Sequence, residues 1–278
     1  MIEQTNRRQF LQAAGLGAVA CAAGTGIRES AASPAKVPYE LGMASYTFRE
    51  FPLDKTLEMT RRLGLKRICF KDFHLKMDAT NEQIADAVAK VKTAGLELYA
   101  GGVIYMMKEA EVDRAFEYAK AAGMRMIIGV PTHELLDYTN GKVQKYDIRV
   151  AVHNHGPDNP LYPTPQDAFE HIAKLDRRIG LCMDAGHTQR SGVDPSEAAQ
   201  KYADRLFDIH IKDTSEASKN GNTVEIGRGV IDIPKLLRTL RTIGFTGTLA
   251  LEYEKDAKDP LPGAAESIGY LRGALAAL

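Results

Sequence analysis

The chain has 278 residues, a length that suits one large barrel or two modest domains. Its 36 acidic and 36 basic side chains cancel, so no net field draws DNA or an anionic membrane, and nucleic-acid partners are disfavoured. Tryptophan is absent, which argues against a tryptophan-lined polysaccharide groove.

The N-terminal segment has the features of a targeting signal rather than of a folded domain. Arg7 and Arg8 stand in the run RRQFL ahead of a short stretch rich in Gly and Ala, and this pattern resembles a twin-arginine export signal. The stretch is too short for a transmembrane helix, so no membrane span is expected. We therefore predict a signal peptide over residues 1–32 and a periplasmic or otherwise exported protein. The alternatives are an amphipathic first helix and a lipoprotein anchor at Cys21.

From Tyr39 onward, short β-rich runs alternate with amphipathic segments whose apolar residues recur at three- and four-residue spacing. Four predicted helices end on a glycine followed by an apolar residue, a signal that stops a helix before the next strand. These glycines are Gly64, Gly95, Gly123 and Gly244. The predicted strands are, in chain order, YELGMASY, KRICFKD, LELYAGG, MRMIIGV, DIRVAVHNH, RIGLCMD, RLFDIHI and GTLALEYE.

Eight strand–helix units in about 240 residues have the length and period of a (β/α)8 barrel. An open doubly wound sheet is the competing fold, and it would need a glycine-rich phosphate loop after its first strand. The segment that follows the first strand here, TFREFPLD, contains no glycine. We therefore predict an α/β protein with a single (β/α)8 TIM barrel over residues 37–278. Cys69 and Cys182 fall within predicted strands and are expected to be buried free thiols.

Active sites of such barrels lie at the carboxyl ends of the strands. Each of the last four predicted strands places an imidazole or a carboxylate there. From strand five to strand eight these are His153 and His155, Asp184 and His187, His210, and Glu252 and Glu254. Nitrogen and oxygen donors together suit a divalent transition metal, with positions left open for substrate. The structural alternatives are a turn cap for Asp184, pairing of His210 with Asp208, and pairing of Glu252 with Lys212.

The chain resembles the xylose-isomerase-like barrel family, the sugar phosphate isomerase/epimerase group, over nearly the whole predicted barrel. The resemblance rests on the motifs MDAGHT, IHIKD and LALEYE and on the run GRGVIDIPKLLRTLRTIGFTG. The family holds one divalent metal ion, often manganese, with Glu, Asp, His and Glu from strands five to eight. By motif, the resemblance implies that the ligands here are His153, Asp184, His210 and Glu252. It also matches His187 to a family histidine that contacts substrate hydroxyls.

His153 is a departure, because many family members have glutamate at this position. The implied ligand set becomes two imidazoles and two carboxylates, compatible with iron, cobalt or zinc as well as with manganese, which is expected first. The pair of glutamates that ketose 3-epimerases use is then missing. The site resembles inosose dehydratases more closely, since these relatives share the pattern of HNH, DAGH, HIKD and EYEKD on strands five to eight.

These residues predict proton abstraction next to a carbonyl that a metal ion polarises, with His155 or His187 as the base. Lys212 is predicted to stabilise the developing charge. Because an exported enzyme meets free sugars, the expected substrate is a neutral keto-sugar, keto-glycoside or cyclitol. Elimination by a dehydratase or lyase is favoured over ketose isomerisation or epimerisation and over a sugar-binding barrel without activity. Phosphodiester hydrolysis is disfavoured, because the chain lacks a basic excess.

Four further side chains are candidates for substrate contact: Lys71, His74, Arg228 and Glu254. Lys71 and His74 follow the second strand, where the alternative is a solvated strand end. Arg228 is a candidate partner for an anionic group, and its alternative is a turn residue. Short loops after most strands also leave room for a homo-oligomer, or for a partner subunit in a hetero-oligomer that supplies a lid.

Overall fold

The computed structural model describes residues 39–278, and the predicted export signal lies outside the described residues. The strands are β1 Glu40–Ala44, β2 Arg67–Phe70, β3 Glu97–Met106, β4 Met126–Pro131, β5 Arg149–His153, β6 Ile179–Asp184, β7 Leu206–Ile211, β8 Asp213–Thr214, β9 Thr223–Val224 and β10 Thr248–Leu251. The α-helices are α1 Leu53–Arg62, α2 Asn81–Thr93, α3 Glu109–Ala121, α4 Leu136–Tyr146, α5 Pro165–Ile172, α6 Ala185–Arg190, α7 Pro195–Lys201, α8 Ile233–Thr242 and α9 Leu261–Ala276. Short 3-10 turns cover Ser45–Phe48, His133–Leu135 and Ala203–Arg205.

The sheet is a closed barrel of parallel strands in the order β1-β10-β7-β6-β5-β4-β3-β2. Each of the eight predicted strands is present, and the predicted (β/α)8 barrel is confirmed. The register pairs His153 with Cys182 across β5 and β6, and Asp184 with His210 across β6 and β7. Because neighbouring strands are parallel and in this register, their carboxyl ends form one rim.

The predicted glycine signals are present at the helix ends. The φ angles are 67° for Gly64, 70° for Gly95, 68° for Gly123 and 66° for Gly244, all in the left-handed region. A side chain disfavours this conformation, so glycine at these positions ends each helix and turns the chain into the next strand.

The core fills the barrel interior and the layer between strands and helices. Strands β4 and β6 are buried at every position, as expected when helices cover one face and the barrel interior the other. Helix α8 buries Ile233, Leu236, Leu237 and Leu240, at the spacing of one helical face. Within residues 39–278, no helix is long and apolar enough to cross a bilayer.

Three local features differ from the sequence-based expectation. Strand β5 ends at His153, so His155 lies in the loop that follows it. Strand β10 ends at Leu251, so Glu252 and Glu254 come after it. The antiparallel pair β8–β9 was not predicted, because strands of two residues give no periodic signal.

Candidate active site

Four buried side chains converge at the carboxyl end of the barrel. His153 ends β5, Asp184 ends β6, His210 lies near the end of β7, and Glu252 follows β10. His153 Nε2 lies 3.1 Å from His210 Nδ1 and 3.7 Å from Asp184 Oδ2. His210 Nδ1 lies 3.4 Å from Glu252 Oε2, and one donor atom of each residue lies within 4.8 Å of all the others. The structure therefore brings the four predicted metal ligands together.

This donor set fits a divalent metal ion. Ligand atoms held about 2.0–2.2 Å from an ion in a tetrahedral arrangement lie about 3.3–3.6 Å apart, close to the separations observed. Asp184 Oδ2 is buried and accepts no hydrogen bond, although Lys212 Nζ lies 3.1 Å away. A buried carboxylate oxygen without a hydrogen bond is costly unless a cation compensates it. The spacing therefore suits a bound cation, and Asp184 Oδ2, paired with Lys212 but without a hydrogen bond, has a lone pair that can face the ion.

The two oxygens of Asp184 have different partners. Oδ1 accepts a hydrogen bond of 2.7 Å from the backbone nitrogen of His187 and so caps α6. Oδ2 faces the other donor atoms. The backbone nitrogen of Asp184 donates to the side-chain oxygen of Asn154 at 3.1 Å, which ties β6 to the end of β5. The turn cap considered as an alternative is thus present, and it fixes the direction in which Oδ2 points.

Lys212 places a cation inside the cluster. Its side chain is buried, and Nζ lies 3.1 Å from Asp184 Oδ2 and 3.0 Å from Glu252 Oε2. Nζ also forms an ion pair with Glu254. Burial alone lowers the pKa of Lys212, but the three carboxylates outweigh burial and raise it well above its ordinary value. The ammonium group therefore stays charged beside the donor atoms, as a charge stabiliser must.

His155 contacts both the cluster and the opposite side of the rim. Its Nδ1 lies 3.2 Å from Nδ1 of His153. The hydroxyl of Tyr105 lies 3.5 Å from Nδ1 and 3.4 Å from Nε2 of the same ring. Burial, reinforced by His187, lowers the pKa of His155 to about 4, so the ring is neutral at pH 7. Sequence reasoning missed Tyr105, and its position near the end of β3 is the signal that could have found it.

His187 lies in the first turn of α6, next to a residue that the sequence analysis also missed. Burial, followed by the charge of Lys212, lowers the pKa of His187 to about 3, so this ring is neutral too. Arg190 Nη1 lies 3.1 Å from His187 Nδ1. The three-residue spacing of the two side chains along α6 is the sequence signal for this contact.

Two of the predicted substrate contacts lie near the rim. The side chain of Glu254 is 34% exposed and pairs with Lys212, so it belongs to the site. Lys71 follows β2, and its Nζ donates to the carbonyl oxygen of Val103 in the neighbouring β3. Its side chain is partly exposed.

The other two predicted contacts have partners of their own. The buried ring of His74 lies 2.9 Å from Ser45 Oγ through Nδ1 and 2.9 Å from Thr56 Oγ1 through Nε2. Arg228 is 62% exposed and forms an ion pair with Glu266 of α9. These contacts favour a structural role for His74 and Arg228, and substrate contact by either stays a prediction.

Asp208 lies beneath the four donors, inside the barrel. Its Oδ2 accepts a hydrogen bond of 3.3 Å from the hydroxyl of Tyr99. His210 Nε2 lies 4.0 Å from the same oxygen and has no hydrogen-bond partner among residues 39–278. Burial raises the pKa of Asp208 to about 6. The alternative in which His210 donates to Asp208 is therefore not realised as a hydrogen bond.

Curated proteins with similar sequences include an inosose dehydratase, an inosose isomerase and a rhizopine catabolism protein. Inosose dehydratase of Lacticaseibacillus casei is 24% identical over 136 residues, which is 44% of this chain and 45% of that protein. Inosose isomerase of Bacillus licheniformis is 23% identical over 156 residues, or 49% of this chain and 56% of that protein. The rhizopine catabolism protein MocC of Rhizobium meliloti is 26% identical over 145 residues, 46% of this chain and 44% of that protein. The chain thus spans about half the length of these relatives.

Solved structures extend the similarity to almost the whole barrel. An uncharacterised protein from Parabacteroides distasonis is 25% identical, with a TM-score of 0.68 over 85% of this chain and 99% of that chain. The structure of an L-ribulose 3-epimerase, 16% identical with a TM-score of 0.69, shares the fold over 85% of this chain and 94% of its own. The model of one family matches residues 52–274, and it is described as the xylose isomerase-like TIM barrel. Since this match covers most of the sequence, the chain belongs to the xylose isomerase-like TIM barrel family.

Proposed function

We propose that this protein is a divalent-metal-dependent enzyme that removes a proton next to a carbonyl of a keto-sugar, keto-glycoside or cyclitol. Elimination, the reaction of a dehydratase or lyase, is favoured over isomerisation. The observation that carries the proposal is the convergence of His153, Asp184, His210 and Glu252 at the rim of the barrel. The names of the similar proteins, inosose dehydratase and inosose isomerase, support this substrate class.

The proposed ion is held by His153, Asp184, His210 and Glu252, with manganese as the first candidate and iron, cobalt or zinc as alternatives. When bound, the ion supplies Lewis-acid polarisation of the substrate carbonyl. Lys212 stabilises the negative charge that develops on the carbonyl oxygen as the proton leaves. Because its carboxylate partners already fix the ammonium group, little reorganisation is needed during the reaction.

His155 is better suited to orient His153 than to act as the base. Nε2 of His153 faces the other donor atoms, and with an ion bound to it the single proton of the neutral ring would lie on Nδ1. Nδ1 of His155, 3.2 Å away, accepts this proton in a hydrogen bond. His155 then carries its own proton on Nε2 and presents a donor to the pocket. We therefore propose an orienting role for His155, one of the two histidines, with His187, that the sequence offered as the base.

We assign proton removal to the carboxylate of Glu254. This side chain lies outside the four-donor set, reaches solvent at the rim, and pairs with Lys212. In an elimination, the electron pair of the broken C–H bond forms the new double bond. The leaving oxygen departs as water or as an alcohol with the proton that Glu254 returns. One carboxylate therefore serves as base and then as acid, and no second glutamate is needed.

A neutral substrate fits the surroundings of the site better than a sugar phosphate. The guanidinium group of Arg190 lies next to His187, where it could meet a phosphate, but it already forms an ion pair with Asp158. Export by the twin-arginine pathway to the periplasm, where free sugars and glycosides are met, stays a prediction.

Metal analysis tests the first part of the proposal. The protein is purified without added metal and compared with His153→Ala and with the control His171→Ala, which removes an exposed histidine on α5. We expect about one divalent ion per chain in the wild type and the control, and a loss of at least tenfold in His153→Ala. Equal metal content in all three proteins would contradict the ligand assignment.

Hydrogen exchange tests the reaction class. The metal-loaded protein is incubated in D2O with inososes, 3-keto-glycosides and ketoses, and products are followed by NMR. Loss of the hydrogen next to the carbonyl together with loss of water or alcohol supports the dehydratase or lyase, because the electron pair of that C–H bond enters the new double bond. Deuterium with a rearranged sugar but no elimination favours the isomerase or epimerase. A protein that binds these sugars but exchanges no hydrogen is the sugar-binding barrel, and the proposal fails.

A further inference from the structure

A single guanidinium group links three segments at the rim. Arg190, the last residue of α6, approaches Nδ1 of His187 at 3.1 Å through Nη1. Its Nη2 donates to Asp158 Oδ2 at 2.9 Å, in the loop after β5, and to the carbonyl oxygen of Lys219 at 2.6 Å, in the loop between β8 and β9. The side chain is only 17% exposed, although it carries a charge. Arg190 is thus held at both terminal nitrogens, Nη1 and Nη2, rather than free in solvent.

The contact with Arg190 restricts where His187 can hold its proton. A guanidinium group has five N–H donors, no acceptor, and a charge that it does not lose in proteins. Nδ1 of His187 can therefore take part in a hydrogen bond with Arg190 only as the acceptor. A neutral ring that accepts at Nδ1 carries its proton on Nε2. A proton on Nδ1 would instead point at an N–H group of Arg190, with the two nitrogens 3.1 Å apart.

The backbone of Gly156 lies against the ring of His187 on the side of Nδ1. Gly156 has a φ of 82°, and a Cβ atom there would lie 3.0 Å from Nδ1 and 3.3 Å from Cβ of His187. The ring therefore packs directly on the backbone of Gly156, on one side, and is held by Arg190 at Nδ1. Within residues 39–278, Nε2 of His187 makes no hydrogen bond, so its proton is available to a ligand.

We propose that Arg190 is a positioning residue that fixes His187 as the tautomer with the proton on Nε2. His187 then donates a hydrogen bond to a carbonyl or hydroxyl oxygen of the substrate and does not act as the base. The donor role rests on the proposed function, whereas the tautomer is a property of the protein alone. The same contacts leave Arg190 unable to bind an anionic substrate group, because Asp158 already neutralises it.

The tautomer is measured directly by long-range 1H–15N NMR of histidine-labelled protein without added metal ion or substrate. The His187 resonances are identified by their absence in His187→Gln. In the wild type we expect Nδ1 to appear as an unprotonated nitrogen and Nε2 as a protonated one. Protonation at Nδ1 in the wild type would overturn the proposal at once.

Variants of Arg190 test whether this residue sets the tautomer. Arg190→Met removes the donor, and we expect the ratio of the two His187 tautomers to change by about tenfold towards Nδ1–H, the effect of one hydrogen bond. Arg190→Lys keeps a donor and should restore part of the ratio. The control Arg228→Met removes an exposed arginine paired with Glu266 and should leave the ratio unchanged.

The outcomes separate this proposal from the proposed function. A tautomer ratio in folded Arg190→Met equal to that of the wild type would show that Arg190 does not position His187, whatever the reaction is. If Arg190→Met does not fold, the wild-type spectrum and Arg190→Lys still decide the question. Failure of the metal or exchange experiments would leave the measured tautomer intact, because neither metal ion nor substrate enters the NMR experiment.

Discussion

The two halves of the barrel rim differ in chemistry. Where β5, β6, β7 and β10 end, the side chains are charged or ionisable and buried, with Asp184 at 0% and Glu252 at 7% exposure. Where β2 and β3 end, large apolar or aromatic side chains are exposed: Phe73 at 45%, Tyr105 at 42% and Met107 at 56%. In the proposed function, one half thus holds fixed charges for the reaction, and the other offers apolar surface to the remainder of the substrate.

The halves meet where Tyr105 lies against His155. The rings of Tyr105 and His155 lie 5.4 Å apart between centroids, with planes inclined by 31°. We therefore expect substitutions on the charged half to alter the reaction rate and metal binding. Changes on the apolar half should alter substrate affinity instead.

The largest effect is expected for Asp184→Asn on the charged half. Losing one anionic donor should reduce metal content by at least tenfold and activity by about 1,000-fold or more, since the ion supplies several kcal/mol of charge stabilisation. Elemental analysis and rate measurements check this. The matched control is Asp232→Asn, because Asp232 caps α8 as Asp184 caps α6 but lies outside the site. Equal losses in both variants would assign the effect to the helix cap.

Lys212→Met tests the electrostatic balance of the same half. Without the ammonium group, two buried carboxylates face each other uncompensated, so the free energy of unfolding of the metal-free protein should fall by about 3–5 kcal/mol. Added metal ion should restore stability and bind more tightly than in the wild type. Urea unfolding with chelator and with metal measures both. Lys235→Met, which removes a half-exposed pair with Asp194, should leave the free energy of unfolding nearly unchanged.

Tyr105→Ala tests the apolar half. We expect KM to rise by about tenfold and kcat to change by less than about threefold, because the lost surface binds ground state and transition state alike. Steady-state kinetics on the substrate found in the exchange panel provides the measurement. Tyr270→Ala, which removes a tyrosine of similar exposure on α9, is the control. A fall in kcat as large as the rise in KM would place Tyr105 in the reacting half and break the comparison.

The smallest effect concerns the loop that frames the charged half. Glu225 is buried and accepts hydrogen bonds of 2.8 Å from Tyr253 and of 2.8 Å from Lys255, which lower its pKa to about 2. A depressed pKa stabilises the fold above the ordinary value of 4.5, and this stabilisation is lost as pH falls towards 2. Glu225→Gln should therefore lower the free energy of unfolding by about 1–2 kcal/mol at pH 7. In urea unfolding, the difference from the wild type should shrink below about pH 4.5.

Periodicity and strand ends were enough to predict most of the scaffold. The eight strands follow from runs of apolar residues, and the helix ends follow from glycines such as Gly64, which adopts a φ of 67°. His153, Asp184 and His210 were found because each closes or nearly closes a strand of a parallel barrel, and such ends share one rim. Local sequence therefore determines where these side chains lie.

What the sequence did not predict depends on contacts between loops. Arg190 joins residues separated by 32 and 29 positions along the chain, and no periodic pattern records such contacts. His74 follows a strand, as a ligand would, yet its ring nitrogens are occupied by residues 29 and 18 positions away. The proton positions of His155 and His187 depend on neighbours in the same way.

Because the two oxygens of the Asp184 carboxylate have different partners, this side chain couples ion binding to the stability of the first turn of α6. One oxygen holds the first turn of α6, and the other points at the donor cluster. A cation that restrains the second oxygen also restrains the first, so ion loading and local helix opening share a single equilibrium. The amide proton of His187 consequently reports occupancy: its exchange with solvent slows as the ion binds.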